Sequence, residues 1–323
     1  MIETISTSLS FKDKFGAFKA RIGIGRMNYK VAPGLYAAGS PDSSSPVFVS
    51  ANYKLSFDTL RKNLSGIDAW ILVIDTKGIN VWCAAGEGTF GTCELVSRIE
   101  AAGLSEVVTH RKLILPQLSA SGVSAYEVTR LSGFSVIFGP VRASDIKAFI
   151  SAACTATREM RTVNFTFKDR LVLTPIEIAM VAKASMFVFG ALFLLNLFVS
   201  KPFDVYDFAI YTGAALTGSF LVPLLLPYIP GRAFSFKGFF LGLLWTLFAL
   251  WLFGWFTAAN LPVIVGYLLL LPSVTAYIAL NFTGCSTYTS PSGVLREMVL
   301  ALPPIIVTSV VGAGMLLFNH LTG

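Results

Sequence analysis

A chain of 323 residues with 54% hydrophobic residues and a mean hydropathy of +0.69 is too apolar for an ordinary water-soluble protein, so part of it belongs in a membrane. Its formal charge of +7 is unevenly held: residues 1–170 carry 20 Lys and Arg against 14 Asp and Glu, and residues 171–323 carry 5 and 4. The basic residues are scattered, with no recognition helix or aromatic-basic run, which argues against a nucleic-acid partner.

In chain order, residues 1–45 read as a lead-in segment, basic between Lys12 and Lys30, followed by a Pro/Ser-rich connector over 40–46. A solvated segment is the expectation, with attraction to a membrane surface as the alternative. No apolar h-region precedes the first domain, so no signal peptide is expected and the domain is placed in the cytoplasm. Cys83, Cys93, Cys154 and Cys285 show neither Cys-x-x-Cys nor zinc-finger spacing and are read as reduced thiols.

Residues 46–167 alternate apolar runs of strand length with helical patterns. Strands are expected at 47–50, 70–74, 112–116 and 135–138. Helices are expected at 56–64, 92–102, 124–131 and 144–152, with Gly66, Gly103 and Gly133 closing three of them. The alternation predicts a small α/β sheet with crossover helices. In such sheets ligands bind beyond the carboxyl ends of the strands. That edge would carry Asp75 and Thr76, the loop 117–122 with Leu118, Ser119 and Ala120, and the loop 139–142 with Gly139 and Pro140. The same Gly, Pro and Ser residues also suit ordinary turns.

Residues 168–323 read as an all-α transmembrane domain, introduced by the basic cluster Arg158, Arg161, Lys168 and Arg170. Five spans are expected at about 175–199, 208–226, 238–256, 261–280 and 298–318, each long enough to cross a bilayer. With the first domain inside, Arg232, Lys237 and Arg296 fall on the cytoplasmic side, as the positive-inside rule requires of a multi-pass protein of the cytoplasmic (inner) membrane. Glu177 and Lys183 are expected to snorkel to the interface. The scarcity of mid-span charge argues against an ion-coupled transporter. The loop 281–293 is hydroxyl-rich and contains Cys285; it reads either as a solvated turn or as a docking loop for the first domain or its partner.

The stretch of most chemical interest follows the strand at 70–74: Asn80, Val81, Trp82, Cys83, Ala84, Ala85 and Gly86, then Glu87, then Gly88, Thr89, Phe90, Gly91 and Thr92. It places a soft ligand, Cys83, beside a large ring and several small residues that let a flat group approach the backbone. This string resembles the cap-helix motif of the corrinoid protein of the bacterial and archaeal mercury-methylation system. That family is related to the corrinoid iron–sulfur proteins of the acetyl-CoA pathway. The loop 281–293 also resembles a stretch of the same family, so the likeness touches both halves. One departure is Glu87, where the family usually has Lys.

The resemblance implies a Rossmann-like, corrinoid-binding α/β domain followed by five transmembrane helices. It implies a cobalamin-type corrinoid whose cobalt takes the Cys83 thiolate as lower axial ligand, with Asn80, Val81, Trp82, Ala84, Ala85 and Gly86 shaping the cap and Gly88, Thr89, Gly91 and Thr92 the turn beyond. The activity implied is transfer of a methyl group to Hg(II), giving methylmercury. The implied partners are a ferredoxin-like protein with two [4Fe-4S] clusters as electron donor and a methyltetrahydrofolate-type methyl donor. His110 and His320 fit no Asp-x-His-x-x-Gly pattern, so a histidine ligand is not expected. Two alternatives stay open: a corrinoid methyl carrier with a different acceptor, and a non-enzymatic corrinoid-binding or transport protein of the membrane.

Overall fold

The computed structural model describes residues 2–286, 288 and 290–322. The chain divides into two compact units, Met1–Ala20 with Ile24–Asn164, and Arg21–Gly23 with Phe165–Gly323.

The first unit is built on a six-stranded mixed sheet: β1 (Glu3–Ile5), β2 (Gly34–Ala38), β3 (Val47–Ala51), β4 (Ala69–Ile74), β5 (Lys112–Leu115) and β6 (Ser135–Phe138). Their order across the sheet is β1-β2-β4-β3-β5-β6. All neighbours are parallel except β2 and β4, which run antiparallel with Tyr36 opposite Ile71. Alternation along β3 and β4 sends Val47, Val49, Trp70, Leu72 and Ile74 to one face and Phe48, Ile71 and Val73 to the other. Both faces are buried, so β4 is a continuous apolar run and β3 is one but for the buried Ser50.

The first face is covered by α3 (Val81–Glu87), α4 (Thr92–Ala101), α5 (Leu104–Val107) and α6 (Ala125–Ser132), the second by α2 (Lys54–Asn63) and α7 (Ile146–Ser151). Strand order reverses between β3 and β5, which makes the carboxyl end of that pair a topological switch point. The four expected strands are all present. The expected helix at 144–152 begins as a 3-10 turn, Ala143–Asp145, and the expected Ser56 cap gives way to Tyr53 one turn earlier.

Residues 1–45, expected as a lead-in, carry β1, β2 and a helix, α1 (Phe11–Arg21). The first β-residues are not an apolar run, and Gly34–Ala38 has no β-branched residue; β2 is a strand because it lies against β4. A charged cluster fixes α1: Asp13 pairs with Lys54 at 2.7 Å and with Arg61 at 2.9 Å, and both cations also pair with the buried Asp58. Burial alone would raise Asp13, but hydrogen bonds from Lys54, Ser10 and Arg61 outweigh it and hold the carboxyl well below the usual carboxylate range. A depressed folded-state value stabilises the fold above about pH 4, and that stability is lost as acid protonates the carboxylate. The melting temperature of the first unit should therefore fall in acid, and Asp13→Asn should flatten that limb. An acid limb identical in Asp13→Asn and wild type would exclude this origin.

Among the described residues, the second unit contains five helices long and apolar enough to cross a membrane: Phe167–Leu195, Val205–Leu225, Phe234–Leu252, Ala258–Gly284 and Ser292–Thr322. We call their regular parts α8 (Phe167–Leu195), α9 (Val205–Leu216) with its continuation α10 (Val222–Leu225), α11 (Phe234–Leu252), α12 (Leu261–Asn281) and α13 (Pro291–Thr322). A π-turn over Thr217–Leu221 joins α9 to α10. Small residues let the helices approach: a Cβ on Gly238 would meet the Thr275 carbonyl oxygen at 2.6 Å, and one on Gly312 the Gly266 oxygen at 2.7 Å.

Glu177, expected to snorkel, is instead 2% exposed. It lies one and two turns beyond Thr174 and Arg170 on a single buried stripe of α8, and length alone did not reveal which face of the helix is packed. Lys183 is exposed. A further buried acid, Asp207, opens α9 through a capping box with Asp204 and accepts a hydrogen bond from the Tyr267 hydroxyl. In the loop 281–293, Thr283 and Ser286 are buried and bonded to their own turn; Thr287, Thr289 and the side chain of Cys285 lie outside the described residues.

Candidate functional site

The stretch carrying Cys83 folds as α3, a helix of seven residues held at both ends. Asn80 is its N-cap: the side-chain oxygen accepts from the Cys83 amide at 3.0 Å, satisfying one of the donors a helix start leaves unpaired. The same side chain turns its Nδ2 toward the Cys83 sulfur at 3.4 Å. One residue therefore starts the helix and orients the thiol. At the other end Gly88 takes a left-handed conformation, φ 83°, which a side chain would strain. Beyond it the Phe90 amide donates to the Ala84 carbonyl at 2.9 Å, and the Phe90 ring is fully buried.

The two faces of α3 differ sharply. Ala84 and Ala85 are buried in the sheet's first core with Phe90 and Leu95, so they seat the helix and do not face outward. Trp82, Cys83, Gly86, Glu87 and Gly88 are exposed. A Cβ on Gly86 would meet nothing within 4 Å, leaving bare backbone one turn from the sulfur. Val81, half-buried, points the other way and lines a cavity.

That cavity, ≈ 300 Å³, lies at the switch point between β3 and β5. Gly139 and Pro140 line it with Ser50, Ser56, Thr59 and Pro116. The structure thus divides the expected residues into an outward patch around Cys83 and a crevice at the strand ends, with Val81 on the crevice side. Leu118 and Ala120 sit on a 3-10 turn after β5, half-buried and exposed; Ser119 is buried and donates its hydroxyl to the Pro116 carbonyl at 2.8 Å. Thr89 is half-buried with its hydroxyl 3.4 Å from the Ala84 carbonyl, and Thr92 accepts from the Ser124 amide at 2.9 Å, joining the starts of α4 and α6. Gly91 is buried and tight against Gly88, whose oxygen a Cβ would meet at 2.7 Å.

Asp75 and Thr76 belong to the turn that delivers α3, and behind them stands a residue that sequence reasoning missed. Asn52, 2% exposed at the end of β3, accepts on Oδ1 from the Thr76 amide at 3.1 Å and the Gly78 amide at 2.9 Å, and donates from Nδ2 to Asp75 at 2.9 Å. The Thr76 hydroxyl lies 2.9 Å from the same oxygen and 2.7 Å from the Ile79 carbonyl. Glu94, held by Arg98, accepts from the Asp75 amide at 2.8 Å. A polar residue ending a strand was the only signal, and it is a common one.

Gly122 fixes α3 from below. A Cβ there would meet the Phe90 oxygen at 2.3 Å and the Ala85 oxygen at 2.9 Å, backbone atoms that cannot swing aside. Gly122→Ala should destabilise the first unit by about 1–3 kcal/mol through overpacking and speed amide exchange across 81–92. Unaltered exchange in that segment would show that the loop does not support the helix.

A soft donor aimed outward, beside bare backbone and an exposed ring, fits a flat soft-metal group such as a corrinoid. The crevice is a separate space in the same unit.

Comparison with known proteins places the similarity in this first unit. A family model described as CdhD, CO dehydrogenase/acetyl-CoA synthase delta subunit, matches residues 25–150. The acetyl-CoA decarbonylase/synthase complex subunit gamma of Archaeoglobus fulgidus is 33% identical over 127 residues, 39% of this chain and 27% of that protein. The subunit gamma of Methanopyrus kandleri is 33% identical over 38% of this chain and 26% of its own length. Subunit gamma 1 of Methanosarcina thermophila is 34% identical over 39% and 27%. The chain thus spans about a quarter of the length of these relatives. Through residues 25–150 it is related in sequence to subunits of the acetyl-CoA decarbonylase/synthase complex.

Proposed function

We propose that the first unit, the expected domain 46–167 together with the β1 and β2 strands that complete its sheet, is a Rossmann-like domain that binds a cobalamin-type corrinoid, whose cobalt the Cys83 sulfur would hold. On this reading the chain is a membrane-anchored, corrinoid-dependent methyltransferase acting on Hg(II) to form methylmercury. The observation that carries it is the outward Cys83 on a helix pinned by Asn80, Gly88 and Phe90. The relation of residues 25–150 to acetyl-CoA decarbonylase/synthase subunits supports it.

Bound there, the corrinoid supplies a transferable methyl group on cobalt. The chain's own work is to present one soft sulfur donor, to keep it oriented through the Asn80 amide, and to leave a flat surface at Gly86 and Gly88. Trp82 flanks that surface, and Glu87, one turn from Cys83, gives it a negative edge. Five membrane-length helices follow the domain; we assign them the role of anchor in the cytoplasmic (inner) membrane, with the first unit in the cytoplasm. A ferredoxin-like protein with two [4Fe-4S] clusters and a methyltetrahydrofolate-type donor are the proposed partners.

A second reading, a methyl carrier whose acceptor is not mercury, is favoured by one observation: the relatives are named as subunits of an acetyl-CoA complex. Both readings share the cofactor, and one experiment tests it. The purified full chain is reconstituted with cob(II)alamin and its absorption and EPR spectra are recorded; stoichiometric base-off binding is expected, and absence of binding would overturn both. Incubating the methylated protein with Hg(II) then separates them, since only the first predicts methylmercury formed much faster than from the same amount of free methylated corrinoid.

A further inference from the structure

α1 turns its aromatic side away from the domain it belongs to. At about 100° per residue, Phe11, Phe15 and Phe18 fall on one narrow stripe, and they are 82%, 53% and 56% exposed. Phe11 and Phe15 stack nearly parallel, 6.1 Å apart. Lys12 and Lys19 flank the stripe on one side and Lys14 and Arg21 on the other, all exposed. The helix's one acid, Asp13, lies on the opposite side and is paired with Lys54 and Arg61. The outer face therefore carries rings and cations only.

The helix is not free to roll and hide the rings. Its inner face is small: Ala20 is fully buried, and a Cβ on Gly16 would meet the Tyr29 hydroxyl at 2.6 Å and its ring at 2.7 Å. Tyr29 donates to the Asp13 carbonyl at 3.1 Å, and Ser10 and Asp13 cap the helix start reciprocally at 3.0 and 3.2 Å. An aromatic ring has no room on that side. A stripe of three exposed phenylalanines that the fold holds outward marks an interaction surface.

We propose that α1 is an in-plane membrane anchor, its Phe11, Phe15 and Phe18 rings seated among the acyl chains of an anionic bilayer surface and its four flanking cations on the phosphate headgroups. Rings in the middle with long cationic side chains on both edges is the arrangement that a water–lipid boundary selects. The same chain carries five helices long enough to span a bilayer, so a membrane is tethered to α1 at high effective concentration and a weak anchor is enough. Ile24 and Met27, 51% and 67% exposed just beyond the helix, widen the apolar area. The inference stands whether or not the corrinoid reading holds.

The test uses the full chain in nanodiscs of phosphatidylcholine with phosphatidylglycerol, carrying Phe15→p-benzoylphenylalanine. Phe15 is exposed, so the change leaves the fold intact. Irradiation should give an adduct heavier by one phospholipid. Its yield should fall about tenfold in pure phosphatidylcholine, or when Lys12, Lys14, Lys19 and Arg21 are all changed to Gln, because each cation near an anionic surface strengthens the contact. The same photoreactive residue at Tyr126, 75% exposed on α6, should give no lipid adduct. Cross-links to protein in place of lipid, no adduct at position 15, or equal lipid labelling at positions 15 and 126 would each overturn the proposal.

Discussion

If the corrinoid reading holds, Cys83→Ala should abolish methyl transfer and leave the protein folded. The side chain is exposed, with the Asn80 amide 3.4 Å from its sulfur, so little core packing is lost, and alanine is the best helix former available for that position. Stability should move by no more than about 0.5 kcal/mol, as for an ordinary surface change. Activity is another matter, because the substitution removes the only soft donor on the outward face of α3. Losing a residue that merely supports a metal ligand costs about 10–100-fold, and losing the ligand itself should exceed that range.

The spectrum of the cob(II)alamin-loaded protein should lose its sulfur-ligation signature in the same variant. Asn80→Ala gives the graded comparison: the sulfur stays but its orienting amide goes, along with a helix cap worth about 1 kcal/mol, so activity should drop within the 10–100-fold window that marks outer-shell partners. Cys93→Ala, an exposed thiol on α4, should change neither spectrum nor activity. A Cys83→Ala protein that methylates at the wild-type rate would remove the assignment altogether.

The central strands were legible because β3, β4 and β5 are buried on both faces and so appear as near-continuous apolar runs with β-branched residues, interrupted only by Ser50 and the exposed Lys112. The five long helices were legible for a related reason: a helix long and apolar enough to cross a bilayer shows itself by length and hydropathy alone. What did not show was anything decided by a partner far away in the chain. Gly34–Ala38 is a strand only because β4 accepts it, and α1 is held by Lys54 and Arg61, more than forty residues downstream. Glu177 has the composition of a snorkelling acid and the position of a buried one, since the packed face of α8 depends on its neighbours.

At the site the same division holds. The Asn80 to Thr92 string could be singled out as a unit, but the inward turn of Ala84 and Ala85 and the Asn52 latch depend on where α3 meets the sheet. A tight contact between two backbones, as at Gly122, leaves no trace in sequence except a glycine, and this chain has 27 of them.

Asn52→Ala should be the most damaging change that touches neither the sulfur nor the surface around it. The amide oxygen of Asn52 is the acceptor for two backbone donors, Thr76 and Gly78, in a turn where both residues are buried. Water cannot replace it without opening the turn. A buried donor left unpaired costs about 1–3 kcal/mol, so two of them should destabilise the first unit by about 3 kcal/mol and loosen the path from β4 to Asn80. Because Asn80 in turn orients Cys83, the spectrum of the cobalamin-loaded variant should show a mixed population with and without sulfur ligation, although Asn52 itself lies behind the helix.

Asn52→Asp distinguishes the polar latch from simple space-filling. It keeps the acceptor and the volume but loses the donor to Asp75 and sets two carboxylates against each other at the present 2.9 Å contact. It should therefore be destabilised at neutral pH and recover as acid protonates one of the pair. Amide exchange at Gly78 and Cys83 is the direct readout. If both amides exchange at the wild-type rate in Asn52→Ala, the latch does not hold α3, and the orientation of Cys83 must come from Asn80, Gly88 and Phe90 alone.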